Sequence, residues 1–328
     1  MDFTRKARWV LDGHRSTCPI GSTYSAVVSR YSVRIALNYS TLNNIYVLTT
    51  DIQNAYLQSP LSQKQYVIYG AEFGLENVSK VALIRRALYG GKSAGRDFRN
   101  HLRKCMSSLG FVPRLADPDV WMREGQKADG TSYWEYVLFY IDNSLVISNN
   151  ARHVLENKIG KYFTMKQGYF VPPHVYLGEN IQNITLENGA KACGFSLSQY
   201  VQAAVNNVEE YNTINERKLP SKAITPVQAS YQPEIDTTSE LNDVDSAYYQ
   251  SLIGILWLMV ELGSVDICLE VSMLFSHQAF PREGHLQKLL HMFAYLKRNH
   301  NSEMEFDPND PVIDEALFDR KYWTASKF

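Results

Sequence analysis

One stretch constrains this chain more than any other: Tyr136-Val-Leu-Phe-Tyr-Ile141, then Asp142-Asn143, then Ser144-Leu-Val-Ile-Ser148. Two apolar runs rich in β-branched and aromatic residues flank a dipeptide that tolerates left-handed backbone. That pattern predicts a tight antiparallel hairpin with an acid at its tip. A second strand, Asn44 to Asp51, also ends on an acid. Side chains at strand ends and hairpin tips are rigidly held yet exposed. If the two tips lie on neighbouring strands, Asp51 and Asp142 meet at one point of a sheet.

The rest of the chain reads as a mixed scaffold for that hairpin. Helices are expected within 22–41, after the Gly90-Gly91 break within 81–108, and over 151–163. An extended stretch begins at Gln65, and a strand pair lies around Val175 to Leu186, with a turn at Gly189. Residues 213–245, with Pro220, Pro226 and Pro233, read as a linker or long loop. Three helical segments follow, about 246–262, 265–278 and 284–299. Asp245 or Ser246 caps the first, Gly263 ends it, and Pro281 divides the other two. An α+β part thus precedes a helical part, without internal repeats.

Charge is segregated rather than excessive. The net charge is −1, which argues against an indiscriminate nucleic-acid coat. Yet residues 80, 85, 86, 92, 96, 99, 103 and 104 are all Lys or Arg, against one acid, Asp97, in that stretch. From Glu303 to Asp319 there are seven acids and no Lys or Arg. Such a chain can carry a basic track while staying near neutral, although a single charge run also suits a solvated helix face. Cys18, Cys105, Cys193 and Cys268 are scattered without ligand or disulfide spacing, and the histidines form no ligand cluster. That fits a reduced intracellular protein, cytoplasmic or nuclear, without a structural metal. The N-terminus is not a signal peptide, and the longest apolar stretch, Leu252 to Val260, is too short to span a bilayer.

Two carboxylates at neighbouring strand tips suit hard cations such as Mg²⁺, which keep several waters and accept substrate phosphates as further ligands. A pair of such ions can activate an attacking hydroxyl and stabilise a leaving oxygen in phosphoryl transfer. Taken alone, an Asp at a turn is simply a turn former.

The motif order says more. Asp51-Ile-Gln-Asn-Ala-Tyr56 resembles the D-x-x-x-A-aromatic motif of reverse transcriptases, and Phe139-Tyr-Ile-Asp142-Asn143 resembles their Y-x-D-D box. Between them, Ala87-Leu-Tyr-Gly-Gly-Lys92-Ser-Ala-Gly-Arg96 is similar to the copia-type signature A-x-Y-G-L-K-x-A-x-R. Tyr176-Leu-Gly178, Leu197-Ser-Gln-Tyr200, Thr225-Pro226, Tyr249-Gln-Ser-Leu-Ile-Gly254 and Val265-Asp-Ile267 follow in the family's order. The chain therefore resembles the reverse transcriptase of copia-type retrotransposon polyproteins, from about Lys6 to Lys297.

That resemblance implies a right-hand polymerase of fingers, palm and thumb, with an antiparallel palm sheet. Residues 1–190 would be fingers and palm, 191–245 a connecting segment or loop, and 246–300 a helical thumb-like region. Residues 301–328 would be an acidic tail leading to a missing RNase H. Asp51 and Asp142 would ligate Mg²⁺. Tyr56 would screen out a ribose 2′-hydroxyl, although a tyrosine is also an ordinary half-buried core residue. Lys6, Arg8, Lys92 and Arg96 would hold the incoming deoxynucleoside triphosphate. Gly178 would position the primer, and Lys297 and Arg298 would touch phosphates of an RNA or DNA template with its primer.

Asn143 departs from the pattern. It stands where the family has a third metal-binding Asp, and an amide offers one neutral oxygen in place of a charged pair. Gly91, Asp97 and Ser264 are further departures and read as drift. Three readings follow: a polymerase with an impaired metal site, a non-catalytic nucleic-acid-binding protein on the same fold, and an inert transposon-derived fragment. Fold is common to all three.

Overall fold

The computed structural model describes residues 9–307, apart from 17, 20, 167–169 and 229. Its first helix, α1 (Arg30–Leu42), begins later than the apolar pattern suggests. The Ser29 hydroxyl caps it by accepting from the Ser32 N–H at 3.1 Å, and the Val28 N–H is drawn to the Phe139 carbonyl at 3.1 Å. Residues 23–29 therefore run without helix.

The hairpin lies at the centre of a five-stranded antiparallel sheet. Its members are β1 (Val47–Asp51), β4 (Val112–Pro113), β5 (Val120–Gln126), β6 (Ser132–Tyr140) and β7 (Asn143–Ile147), in the order β1-β7-β6-β5-β4. A separate antiparallel ribbon pairs β2 (Pro60–Ile68) with β3 (Val81–Arg86). A third sheet has the order β11-β10-β9-β8, from β8 (Val175–Tyr176), β9 (Glu179–Thr185), β10 (Lys191–Ser196) and β11 (Glu303–Phe306).

Two-sided burial explains why the hairpin strands read as nearly unbroken apolar runs. Val137, Phe139 and Val146 face Phe98, Leu102 and Met106 of α2 (Ala94–Ser108), together with Val154 and Leu155. Those last two follow α3 (Ala151–His153), where the helical path continues as a π turn and then a 3-10 turn to Lys161. Leu138, Leu145 and Ile147 point the other way, onto Val33 and Leu37 of α1 and onto Ile181 and Phe195 of the third sheet.

The C-terminal part is a helical cluster of α4 (Ser198–Ile214), α5 (Asp243–Glu261), α6 (Cys268–Phe275) and α7 (Glu283–Arg298). Two expectations are corrected here. Residues 191–245 are not only a connecting loop: they contain β10 and α4, whose Val201, Ala204, Val205 and Val208 repeat at helical spacing and join the helical core. The segment from 301 does not begin as a free acidic tail, because Glu303–Phe306 pairs with β10. The remainder of that expected tail, from 308, lies outside the described residues. The observed architecture is mixed α and β with antiparallel sheets. No helix among the described residues is long and apolar enough to cross a membrane.

Candidate active site

Strand order brings the two sequence-flagged acids together. In the β1–β7 register Asp51 stands opposite Asn143, and the Ile52 N–H donates to the Asp142 carbonyl at 2.8 Å. Tyr140 pairs with Asn143 on the other side, so the hairpin loop is Ile141-Asp142. This differs from the expected Asp-Asn turn. The left-handed residue is Ile141, at φ 57°, while Asn143 is drawn into β7 as a paired strand residue. A β-branched side chain rarely adopts that conformation, and here the flanking ladder imposes it.

Asn143 is further tied down. The Thr49 hydroxyl is within hydrogen-bond distance of both its amide oxygen, at 3.0 Å, and the Ser144 carbonyl, at 2.9 Å. On the far side of β1, Ile52 bridges to Met165, and the Lys166 N–H donates to the Asp51 carbonyl at 2.9 Å. The Lys166 ammonium lies 3.5 Å from the Asp51 carboxylate. Tyr56 lies close by, its ring against Tyr89 and Phe98 at 5.1 and 5.9 Å. Burial, then the nearby charge of Asp142 and the Tyr89 phenol, push its phenol pKa up. Tyr176, immediately before the Leu177-Gly178 turn, reaches the Asn143 carbonyl at 3.4 Å.

The other candidates are dispersed. Lys92 donates to the Ser16 carbonyl at 2.6 Å, and Arg96 donates to the Ser22 carbonyl at 2.8 Å and the Ser62 hydroxyl at 2.7 Å. Lys92, just before α2, and Arg96, within it, thus both hold the N-terminal segment. Leu177 and Gly178 both have positive φ, as a two-residue type I′ hairpin requires. Lys297 forms an ion pair with Glu209 at 2.7 Å, between α7 and α4, and Arg298 is exposed. Lys6 and Arg8 lie outside the described residues.

Asp97 does more than interrupt a basic run. It is buried, accepts from the Ser93 hydroxyl at 3.0 Å and the Ser62 N–H at 3.3 Å, and pairs with Arg96 at 3.3 Å. Asp97→Ala leaves those donors without their shared acceptor. It is expected to cost about 2 kcal/mol, since buried unpaired donors cost ~1–3 kcal/mol. Urea denaturation checks this, and a loss below ~0.5 kcal/mol, the usual scatter of neutral surface changes, would contradict it. Gly90 has a comparable structural role. Its φ is +80°, and a Cβ there would lie 2.1 Å from the Leu11 carbonyl oxygen.

The sequence profile of the family described as "Reverse transcriptase (RNA-dependent DNA polymerase)" matches residues 1–221. The chain belongs to this family. Among curated relatives, the Retrovirus-related Pol polyprotein from transposon RE1 of Arabidopsis thaliana is 26% identical over 296 residues, 89% of this chain and 19% of the relative. The corresponding polyprotein from transposon TNT 1-94 of Nicotiana tabacum is 21% identical over 94% of this chain and 23% of its own length. A putative transposon Ty5-1 protein of Saccharomyces cerevisiae is 28% identical over 75% of this chain and 74% of its own length. The chain spans about a fifth of the length of the plant polyproteins it matches. These relatives place it with the copia-type reverse transcriptases.

Among the described residues no cluster of three or more His, Cys, Asp or Glu is grouped to hold a metal ion. The backbone sets Asp51 and Asp142 at neighbouring strand ends, through the β1–β7 register and the Ile52 N–H to Asp142 carbonyl bond. Sequence reasoning missed Thr49, Lys166 and the contact of Tyr176. No local pattern marks Thr49 or Lys166, because their roles depend on which strands become neighbours.

Proposed function

We propose that this chain is the polymerase core of a copia-type reverse transcriptase, arranged as fingers, palm and thumb, with a metal site one carboxylate short. In this reading the sheet carrying β1, β6 and β7 is the palm, the β2–β3 ribbon belongs to the fingers, and residues 246–300 form the thumb. The observation that carries it is the register setting Asp51 across from Asn143, with Asp142 at the adjoining turn.

Asp51 and Asp142 would hold Mg²⁺, which when bound supplies positive charge to triphosphate oxygens and to the primer 3′-hydroxyl. Tyr56, beside Asp142, would screen out a ribose 2′-hydroxyl. Lys6, Arg8, Lys92 and Arg96 would attract the deoxynucleoside triphosphate. The Gly178 turn would position the primer, and Lys297 and Arg298 would touch phosphates of an RNA or DNA template–primer duplex. Asn143 removes one negative charge where partial burial makes each charge count, so nucleotidyl transfer is absent or very slow. A second reading, a non-catalytic nucleic-acid-binding protein, is favoured by one feature. Lys166 and Thr49 already satisfy Asp51 and Asn143 from within the chain.

Primer extension on an RNA template with Mg²⁺ or Mn²⁺ tests both. The expected result is trace extension that Asp51→Asn abolishes, together with duplex binding that weakens steeply with salt. Robust extension by the unmodified chain would overturn the impaired site. Absence of extension even in Asn143→Asp, with duplex binding intact, would favour the second reading, and loss of duplex binding as well would overturn both.

A further inference from the structure

We propose that Lys166 is an intramolecular counter-ion that competes with a divalent metal for Asp51, so that residue 166 sets the metal affinity of the site together with residue 143. This rests on the reading that Asp51 and Asp142 form the metal site. The pairing is built into the backbone. Ile52 bridges to Met165 and the Lys166 N–H donates to the Asp51 carbonyl at 2.9 Å, which anchors residue 166 alongside the last residue of β1. The ammonium then reaches Asp51 Oδ2 at 3.5 Å.

An ammonium group carries three donors and no acceptor, so it can neutralise Asp51 but cannot join a metal's ligand set. A divalent ion on the Asp51 carboxylate would sit within a few ångströms of that positive charge. The Lys166 and Asp51 side chains are 49% and 44% exposed, so solvent screens the repulsion and the lysine can be displaced. It shifts the balance without closing the site. On the opposite side, the Thr49 hydroxyl already contacts the Asn143 amide oxygen, the one neutral ligand that residue 143 could offer. Each ligand-bearing strand end is thereby satisfied by a neighbouring side chain when no ion is present.

The test is Mn²⁺ binding to the full chain without nucleotide, followed by the electron paramagnetic resonance signal of free Mn²⁺. Lys166→Met is expected to tighten Mn²⁺ binding roughly three- to tenfold, the range for one removed charge at short distance in high effective dielectric. Lys166→Arg, which keeps the charge, is expected to stay within about twofold of the unmodified chain. Asp51→Asn serves as the reference arm. If Asp51→Asn weakens binding but Lys166→Met leaves it unchanged, the counter-ion proposal is overturned and the metal-site reading stands. If Asp51→Asn changes nothing, the metal-site reading fails and the counter-ion role falls with it. Lys166 is half exposed, and thermal melting of each variant confirms that a folded protein was titrated.

Discussion

Asn143→Asp is expected to raise single-turnover primer extension by about a hundredfold or more, because a restored metal ligand is worth several kcal/mol and each ~1.4 kcal/mol is a factor of ten. The argument is geometric as well as electrostatic. Residue 143 is a paired strand residue directly across from Asp51 and one position beyond Asp142, so a carboxylate there adds its charge to the same small region. The side chains of Asn and Asp have nearly equal volume, and the Thr49 hydroxyl can donate to either. The backbone therefore need not move. Asn143→Ala should show no gain, and adding Asp142→Asn to Asn143→Asp should remove it. Extension that stays unchanged in Asn143→Asp, with Mn²⁺ and duplex binding intact, would show that something other than the third carboxylate limits this site.

The largest stability effect is expected from Arg34→Met. Arg34 on α1 donates to Glu179 through Nη2 at 2.7 Å and Nε at 3.3 Å, and Nη2 also reaches the Leu262 carbonyl at 2.9 Å. Both side chains are buried. One guanidinium thus joins α1, the start of β9 and the end of α5, three elements distant in sequence. Removing one partner of such a pair leaves a buried charge uncompensated, at a cost of ~3–5 kcal/mol. Replacing both, as Arg34→Met with Glu179→Met, should recover much of that loss, since an apolar pair of similar volume is often neutral.

The same pair has a pH signature. Burial pushes the Glu179 carboxyl up, and the Arg34 guanidinium pulls it back only in part. The folded chain then keeps this proton to higher pH than the unfolded chain. Its contribution to stability is full below the ordinary carboxylate range and is lost as pH rises through the raised folded value. The difference in urea stability between the unmodified chain and Glu179→Gln should show that fall as pH rises, because Asp117, Asp236 and Asp245, held low in the folded chain, titrate with the opposite sign. A Glu179→Gln profile parallel to that of the unmodified chain would contradict the assignment.

Much of the site was legible from local pattern. The hairpin around Asp142 was readable because buried strands need β-branched and aromatic residues, and the order of the motifs identified the family. The helix α4 is also written in the chain, as Val201, Ala204, Val205 and Val208 at helical spacing ahead of a polar, proline-containing segment. Other points were not legible. The turn sits at Ile141-Asp142 rather than Asp-Asn because pairing with Tyr140 and Asp51 holds Asn143 in its strand. Asp97 looked like an interruption in a basic run until Ser93, Ser62 and Arg96 converged on it.

The sequence by itself determined the elements and the family, because periodicity and turn chemistry depend on residues within a few positions of one another. Only the tertiary structure decided that β7 lies between β1 and β6, that Lys166 stands beside Asp51, and that Thr49 holds Asn143. Thr49 and Asn143 are 94 positions apart along the chain, and Lys166 and Asp51 are 115. They are brought together by burial of the sheet on both faces, a property of the whole packed core that no short segment encodes.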